Sequence, residues 1–124
     1  YKKHMAKILI ADDQLVMRNM FKVILQDEPH ELTLAVDGEA ALNAAKAERF
    51  DLVLSDLYMP KLDGIQLTAA IRALPAYKGV PVLIVSTENK AEKKAAGRAA
   101  GANGWIIKPI TKDRLLPAIK KLLG

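Results

Sequence analysis

The first apolar run of the chain reads KILIADD at residues 7–13 and ends in two adjacent carboxylates. Similar runs, rich in β-branched residues, recur at residues 32–36, 52–55, 80–85 and 105–107. The segments between the runs are longer, and apolar residues of the first such segment share one helix face: Met17, Met20, Phe21, Ile24 and Leu25. Strands that alternate with helices predict right-handed crossovers and a parallel sheet that is covered on both faces.

The composition of the runs predicts their places in the sheet. The first, third and fourth runs are apolar throughout, which is typical of central strands that are buried on both faces. The second and fifth runs are shorter or more mixed, so we expect them at the edges. An open sheet of this kind binds its ligand beyond the carboxyl ends of its strands. Functional side chains are therefore expected just after each run.

Length and composition exclude several classes of protein. The chain has 124 residues, enough for one domain with its own core, and it has no cysteine. The lack of cysteine excludes a disulfide scaffold and a thiolate zinc site. No apolar run approaches the ~20 residues of a membrane span, so we expect a cytoplasmic domain without membrane insertion. Residues 1–4 are expected to be a non-native extension, and residues 5–124 the domain itself.

Polar side chains follow the predicted strands at this edge of the sheet. They are Asp12 and Asp13 after the first run, Asp56 after the third, Ser86 and Thr87 after the fourth, and Lys108 after the fifth. Three carboxylates that converge repel one another, so a cation should hold them there. Hard oxygen ligands without His or Cys favour Mg²⁺. Together with a hydroxyl and an ammonium, they predict an aspartyl-phosphate site with a carboxylate as the nucleophile.

Each of these residues also has a plainer interpretation. Asp13 could cap the first helix, and Asp56 could cap a turn. Ser86 could be an ordinary hydroxyl at a strand end, and Lys108 could be a solvated surface charge. The functional interpretation is favoured because all four fall at the same end of one sheet.

The site residues and their surroundings resemble the receiver domain of two-component response regulators. The resemblance rests on Asp12-Asp13, on DLYMPKLDG at residues 56–64, on Ser86 and on Lys108-Pro109, and it covers residues 5–124. It implies an α/β flavodoxin-like fold, a doubly wound five-stranded parallel sheet of order 2-1-3-4-5 with helices on both faces. Two segments, residues 72–78 and 99–109, are most similar to stand-alone chemotaxis receivers of the CheY type.

The resemblance implies a role for each residue of the site. Asp56 would accept a phosphoryl group from the phosphohistidine of a sensor histidine kinase, which is CheA-like in chemotaxis. Asp13, Asp56 and the backbone carbonyl of Tyr58 would ligate Mg²⁺, and Asp12 would act mainly through water. Lys108 would pair with the phosphoryl group. The peptide bond that follows Lys108 is expected to be cis.

Two further positions match the conformational switch of the family. Ser86 corresponds to the switch hydroxyl, although a shift of one residue would give that role to Thr87. Ser86 is preferred because Glu88 then falls two positions beyond it, as in the family. Trp105 corresponds to the switch aromatic, and its plainer interpretation is that it covers an edge strand. Phosphorylation would draw in Ser86, shift the loop after the fourth strand and change the Trp105 rotamer.

Short sequence patterns predict where three of the helices begin and how the fourth helix packs. Capping-box spacing predicts starts at Asp63 and Asn89, and Thr111 is the expected N-cap of the last helix. The fourth helix should bury little apolar area and be easy to displace, because its inward positions are predicted to be small. Those positions are Ala91, Ala95 and Ala99, with Gly97 interrupting the helix. Its outer face is basic, which fits either a solvated surface or an acidic partner.

The resemblance implies a monomer whose downstream target is a protein, such as the flagellar motor switch, and not a nucleic acid. Such a chain is not an enzyme beyond its own phosphorylation and dephosphorylation. A haloacid-dehalogenase-like phosphatase is an alternative, but it needs an acid where this chain has Tyr58. A nucleotide-binding module needs a glycine-rich loop where the chain has Asp12-Asp13-Gln14. A further alternative is that the chain is a receiver excised from a multidomain regulator.

Overall fold

The computed structural model describes residues 5–124, so the extension expected at residues 1–4 lies outside the described part. Strands and helices alternate along the chain. The strands are β1 (Lys7–Ala11), β2 (Glu31–Ala35), β3 (Leu52–Ser55), β4 (Val82–Ser86) and β5 (Gly104–Ile107). The helices are α1 (Leu15–Leu25), α2 (Gly38–Ala47), α3 (Gly64–Arg72), α4 (Ala91–Ala100) and α5 (Lys112–Leu123), with a 3₁₀ turn at Pro75–Tyr77 after α3.

The strands form one parallel sheet in the order β2-β1-β3-β4-β5. Every residue of β3 and β4 is buried, whereas β2 and β5 are partly exposed at the edges. The doubly wound fold and the placement of the runs are thus confirmed. The fourth strand begins at Val82 and not at Val80, because Pro81 has no N–H to donate to a neighbouring strand.

Two apolar layers cover the sheet, one on each face. In one layer, Ile8 and Ile10 of β1 pack with residues of α1 and α5. In the other layer, Leu9 of β1 packs with residues of α2 and α3. Successive side chains of a strand point to opposite faces, so each central strand contributes to both layers. The predicted face of α1 is confirmed, because Phe21 and Leu25 are buried and the other three residues pack partly against the same layer.

Helix α3 begins with the capping box that its sequence predicts. The Asp63 carboxylate accepts from the Gln66 N–H at 2.8 Å, and the Gln66 side chain accepts from the Asp63 N–H at 3.0 Å. Gly64 then lies so close to β3 that a Cβ there would come within 2.3 Å of the Asp56 carbonyl oxygen. The loop after β3 is therefore folded tightly against its own strand end.

The other two predicted caps differ from the structure. The N-cap residue of α4 is Lys90 and not Asn89, and its side chain makes no capping hydrogen bond. The Asn89 amide oxygen instead accepts from the Lys94 ammonium at 2.9 Å. Thr111 is the N-cap residue of α5, as predicted, but its hydroxyl does not bond to the helix start.

Helix α4 buries little, as predicted, but its orientation was predicted wrongly. Ala91, Ala95 and Ala99 are exposed, and Gly97 is the buried residue of the helix. A Cβ at Gly97 would lie 2.9 Å from the Trp105 ring, so the helix turns its glycine toward the largest side chain beneath it. Within the described residues, no helix is long and apolar enough to cross a membrane.

Candidate functional site

Three carboxylates meet at the carboxyl edge of the sheet. Asp12 and Asp56 follow the adjacent strands β1 and β3, and the Asp56 N–H donates to the Ala11 carbonyl at 2.9 Å. The carboxylate oxygens of Asp12, Asp13 and Asp56 lie within 4.8 Å of one another. Asp12 is 1% exposed and Asp56 is 9% exposed, whereas Asp13 is open to solvent. The structure thus brings together the acidic residues that the sequence singles out.

One ammonium group joins the two buried carboxylates. Lys108 follows β5, and its Nζ lies 3.2 Å from Asp12 Oδ2 and 3.3 Å from Asp56 Oδ2. The backbone N–H of Lys108 donates to the Ser86 carbonyl at 2.9 Å. The peptide bond between Lys108 and Pro109 is cis, as predicted. Lys108 is therefore not a solvated surface charge, and it offsets part of the repulsion between the carboxylates.

Backbone N–H groups orient both buried carboxylates. The Leu57 N–H donates to Asp56 Oδ1 at 2.8 Å, and the Gln14 N–H donates to Asp12 Oδ1 at 2.9 Å. The Oδ2 atom of each group is left to face Lys108. Helix α1 has Gln14 as its N-cap residue with no capping bond from a side chain, so the interpretation of Asp13 as a cap is wrong.

The surroundings of Asp56 favour its neutral form. Burial raises the pKa of the Asp56 carboxyl above its ordinary value, the Lys108 ammonium opposes this effect, and the charge of Asp12 adds to it. An ionised Asp56 is consequently short of solvation, which increases its tendency to bind a cation or an electrophilic phosphorus.

The hydroxyl at the end of β4 is buried beside this cluster. Ser86 is fully buried at the end of the strand next to β3, whereas Thr87 is exposed. The Ser86 Oγ accepts from the Glu88 N–H at 3.1 Å. Of the two candidate hydroxyls, that of Ser86 is therefore the one that is buried at the carboxyl edge of the sheet.

Glu88 has a role that its sequence position alone does not reveal. The Tyr58 hydroxyl donates to the Glu88 carboxylate, and the Trp105 indole N–H donates to the Glu88 carbonyl at 3.0 Å. The hydrogen bond to Glu88 raises the pKa of the Tyr58 hydroxyl, and the same bond lowers the pKa of the Glu88 carboxyl. Tyr58 is 52% exposed but anchored, and Trp105 does more than cover an edge strand. The spacing from Ser86 was the available signal for Glu88.

The donor set of the cluster fits a hard divalent cation. It offers carboxylate oxygens from three residues, with no His or Cys among them. Such a set suits Mg²⁺, which keeps several waters and takes one or two protein carboxylates. Asp12 and Asp56 each pair with Lys108 and accept from a backbone N–H, whereas the Asp13 carboxylate is open to solvent.

Comparison with known proteins identifies the class of domain to which this fold and this cluster of side chains belong. The family model of the response regulator receiver domain matches residues 8–120. The chain therefore belongs to the receiver domains of two-component response regulators.

Individual relatives agree with this assignment. The chain is 38% identical over 117 residues to the chemotaxis protein CheY of Pseudomonas aeruginosa, a match that covers 94% of each. The structure of CheY4 of Vibrio cholerae has a TM-score of 0.91 at 39% identity, covering 96% of this chain and 99% of that one. The receiver domain of a P. aeruginosa sensor histidine kinase, with magnesium coordinated in its active-site cleft, has a TM-score of 0.89 at 26% identity, covering 98% and 99%.

We predict that Mg²⁺ or Mn²⁺ binds to this cluster weakly in the absence of a phosphoryl group, because water stays on the ion. Asp13→Ala should lose most of the binding measured by calorimetry, since it removes a direct ligand. Lys108→Ala is the control and should retain it, because the ammonium competes with a cation. Equal affinities of the wild type and Asp13→Ala would refute the role of Asp13.

Proposed function

We propose that Asp56 accepts a phosphoryl group from the phosphohistidine of a CheA-like sensor kinase, and that the phosphorylated chain binds a downstream target in chemotaxis. The observation that carries the proposal is the surroundings of Asp56 Oδ2. This oxygen lies at the carboxyl end of a central strand, 3.3 Å from the Lys108 ammonium and beside two further carboxylates. A nucleophilic oxygen, a cation and oxygen ligands for a metal are the groups that phosphoryl transfer to a carboxylate requires.

In the transfer, a carboxylate oxygen of Asp56 attacks phosphorus as the bond from phosphorus to the imidazole nitrogen breaks. The electron pair of that bond leaves with the imidazole, which takes up a proton. The Lys108 ammonium faces the oxygens on which charge accumulates, and it stays paired with the phosphoryl group in the product. The Leu57 N–H fixes the carboxylate throughout. The chain assists only its own phosphorylation and dephosphorylation and in this sense is not an enzyme.

Mg²⁺ would be held by Asp13, Asp56 and the backbone carbonyl of Tyr58, with Asp12 acting through water. When bound, the ion offsets negative charge on the phosphoryl oxygens. The receiver domain of the P. aeruginosa kinase, which holds magnesium in its cleft, supports this choice of metal.

The proposed change in the surface that binds the target depends on Ser86 and Trp105. Ser86 would donate to the phosphoryl group, which moves the loop that follows β4 and so affects the contact between Glu88 and Trp105. A target such as the flagellar motor switch would bind the face that contains α4 and β5. We place this activity in the cytoplasm and in a monomer.

The other function classes are not favoured by the residues at the site. A haloacid-dehalogenase-like phosphatase needs an acid two positions after the nucleophile, where the Tyr58 hydroxyl instead binds Glu88. A nucleotide-binding module needs phosphate-binding N–H groups after β1, where Asp12 and Asp13 would repel a phosphate.

The kinase contact is proposed at the start of α1. Leu15 and Val16 begin this helix one residue after the acidic pair, and Val16 and Val23 are exposed apolar residues one heptad apart on one side. A phosphohistidine must come into contact with Asp56, so its domain has to cover residues at this rim. Exposed apolar side chains would supply the contact area.

We predict that acetyl phosphate with Mg²⁺ adds the mass of one phosphoryl group to the wild type, measured on the intact protein. Asp56→Asn should gain nothing, because an amide is a poor nucleophile. Asp63→Asn is the matched control in the same loop and should be phosphorylated, since Asn also caps helices well. A mass gain that survives Asp56→Asn would show that the acceptor is another residue.

Tyr58 is predicted to prolong the life of the phosphoryl group. Its anchored ring should hinder water from approaching phosphorus in line with the leaving oxygen. Tyr58→Asn should therefore speed dephosphorylation about two- to tenfold, which corresponds to a barrier lower by about 0.4–1.4 kcal/mol. Time courses of phosphoryl loss measure this effect. Indistinguishable decay in the wild type and the variant would leave Tyr58 without a role in the lifetime.

The α1 surface is tested by placing a charge on it. Val16 is 70% exposed, and Val16→Lys should slow transfer from a phosphorylated CheA-type histidine domain about tenfold. The rate with acetyl phosphate should not change, because this small donor needs no docking surface. Met5→Lys, an equivalent change at a 63% exposed residue on the opposite edge of the sheet, is the control. If both variants behave alike with the kinase domain, α1 is not the docking surface.

A further inference from the structure

Glu88 is the meeting point of three segments of the chain. Its N–H donates to Ser86 Oγ at 3.1 Å, and its carbonyl accepts from the Trp105 indole at 3.0 Å. One carboxylate oxygen accepts from the Tyr58 hydroxyl. The other accepts from the N–H groups of Asn89 and Lys90, each at 3.2 Å, at the start of α4. The loop after β3, the edge strand β5 and the start of α4 are thus joined through one residue.

The Trp105 ring is held at two places. Its N–H is held by the Glu88 carbonyl, and its six-membered ring lies against α4 at Gly97. A Cβ on Gly97 would lie 2.9 Å from the ring and 3.3 Å from Ile84 on β4. The space beneath the helix therefore accommodates the indole because the helix has a glycine there. We call this arrangement of Trp105 between Gly97 and Glu88 the seated position.

The far end of α4 is fixed by different contacts. The Arg72 guanidinium at the end of α3 donates to the Gly101 carbonyl at 2.9 Å and to Asn103 Oδ1 at 2.7 Å. The same side chain also donates to the carbonyls of Tyr77 and Val80. The carboxyl end of α4 is consequently tied to α3, whereas its amino end depends on Glu88.

We propose that the hydrogen bond between Tyr58 and Glu88 is a latch that keeps Trp105 in the seated position and the amino end of α4 in place. The latch gives the loop after β3 a second connection to the face of α4 and β5, besides the movement of Ser86. Its existence does not depend on the proposed phosphotransfer, although its signalling value rests on that function.

Phosphorylation of Asp56 would act on this latch in two ways. It adds negative charge two residues before Tyr58, the residue that donates to the Glu88 carboxylate. It also draws Ser86 toward the phosphoryl group, and Ser86 is bonded to the Glu88 N–H. Both effects act on Glu88, which holds Trp105. The latch and the switch hydroxyl therefore transmit phosphorylation of Asp56 to the same surface, the face of α4 and β5.

Trp105 is the single tryptophan of the chain, so intrinsic fluorescence of the unphosphorylated protein reports on the latch. Tyr58→Phe retains the ring and removes the hydroxyl. Exposed contacts to charged groups shift local equilibria about two- to fivefold, and we expect the population of unseated Trp105 to rise by that factor. The readout is a red-shifted emission maximum and a larger acrylamide quenching constant. Circular dichroism confirms that the variants are folded.

A double-mutant cycle separates the latch from general effects of charge. Glu88→Ala should change the fluorescence in the same direction, because it removes the acceptor, and Tyr58→Phe should add little in its presence. Glu92→Ala, the same change in the first turn of α4, is the matched control and should leave the fluorescence unchanged. Wild-type quenching in Tyr58→Phe, additive effects in the double variant, or an equal effect of Glu92→Ala would each overturn the proposal. None of these outcomes depends on whether Asp56 is the acceptor.

Discussion

The pairing of one ammonium with two buried carboxylates is the constraint around which the structure is organised. Asp12 and Asp56 lie side by side because β1 and β3 are neighbours, and their charges repel each other. Lys108 offsets this repulsion, but it reaches them from β5, two strands away from β3. The group can exist only where the order of the strands and both apolar layers are intact. The fold thus holds together charges that would separate in a flexible chain.

The part of the structure that the sequence predicts is the part governed by regular patterns. Apolar runs locate the strands, and the rule that ligands bind at the carboxyl ends of parallel strands places Asp12, Asp56, Ser86 and Lys108 at one edge. The orientation of α4 goes against its sequence pattern, because the alanines share one half of the helix surface and yet that half is the exposed one. One bulky contact, the Trp105 ring against Gly97, decides which side faces inward. The contacts of Glu88 likewise join loops, where no periodicity indicates the partner.

The two sides of the site differ in how firmly they are held. On the acceptor side, the Gly64 N–H donates to the Leu57 carbonyl at 2.7 Å, and the capping box of Asp63 and Gln66 fixes the start of α3. On the other side, the start of α4 has no capping bond from its own N-cap residue and relies on Glu88. A rigid acceptor loop keeps the reacting oxygen in place, while the loop after β4 has the freedom to respond to it.

The energetics of α4 explain why so small a chemical change could move it. Each 40 Å² of apolar surface removed from water contributes about 1 kcal/mol, and a helix whose buried residue is a glycine gains little from this source. Exposed contacts to charged groups each contribute little, but several of them meet at Glu88, where the apolar packing of α4 is weak as well. Helices α1 and α5 bury Phe21, Leu25, Leu115 and Ile119, and a contact of that size would not displace them. Polar contacts at Glu88 can therefore decide the position of α4 because its apolar packing is too weak to decide it alone.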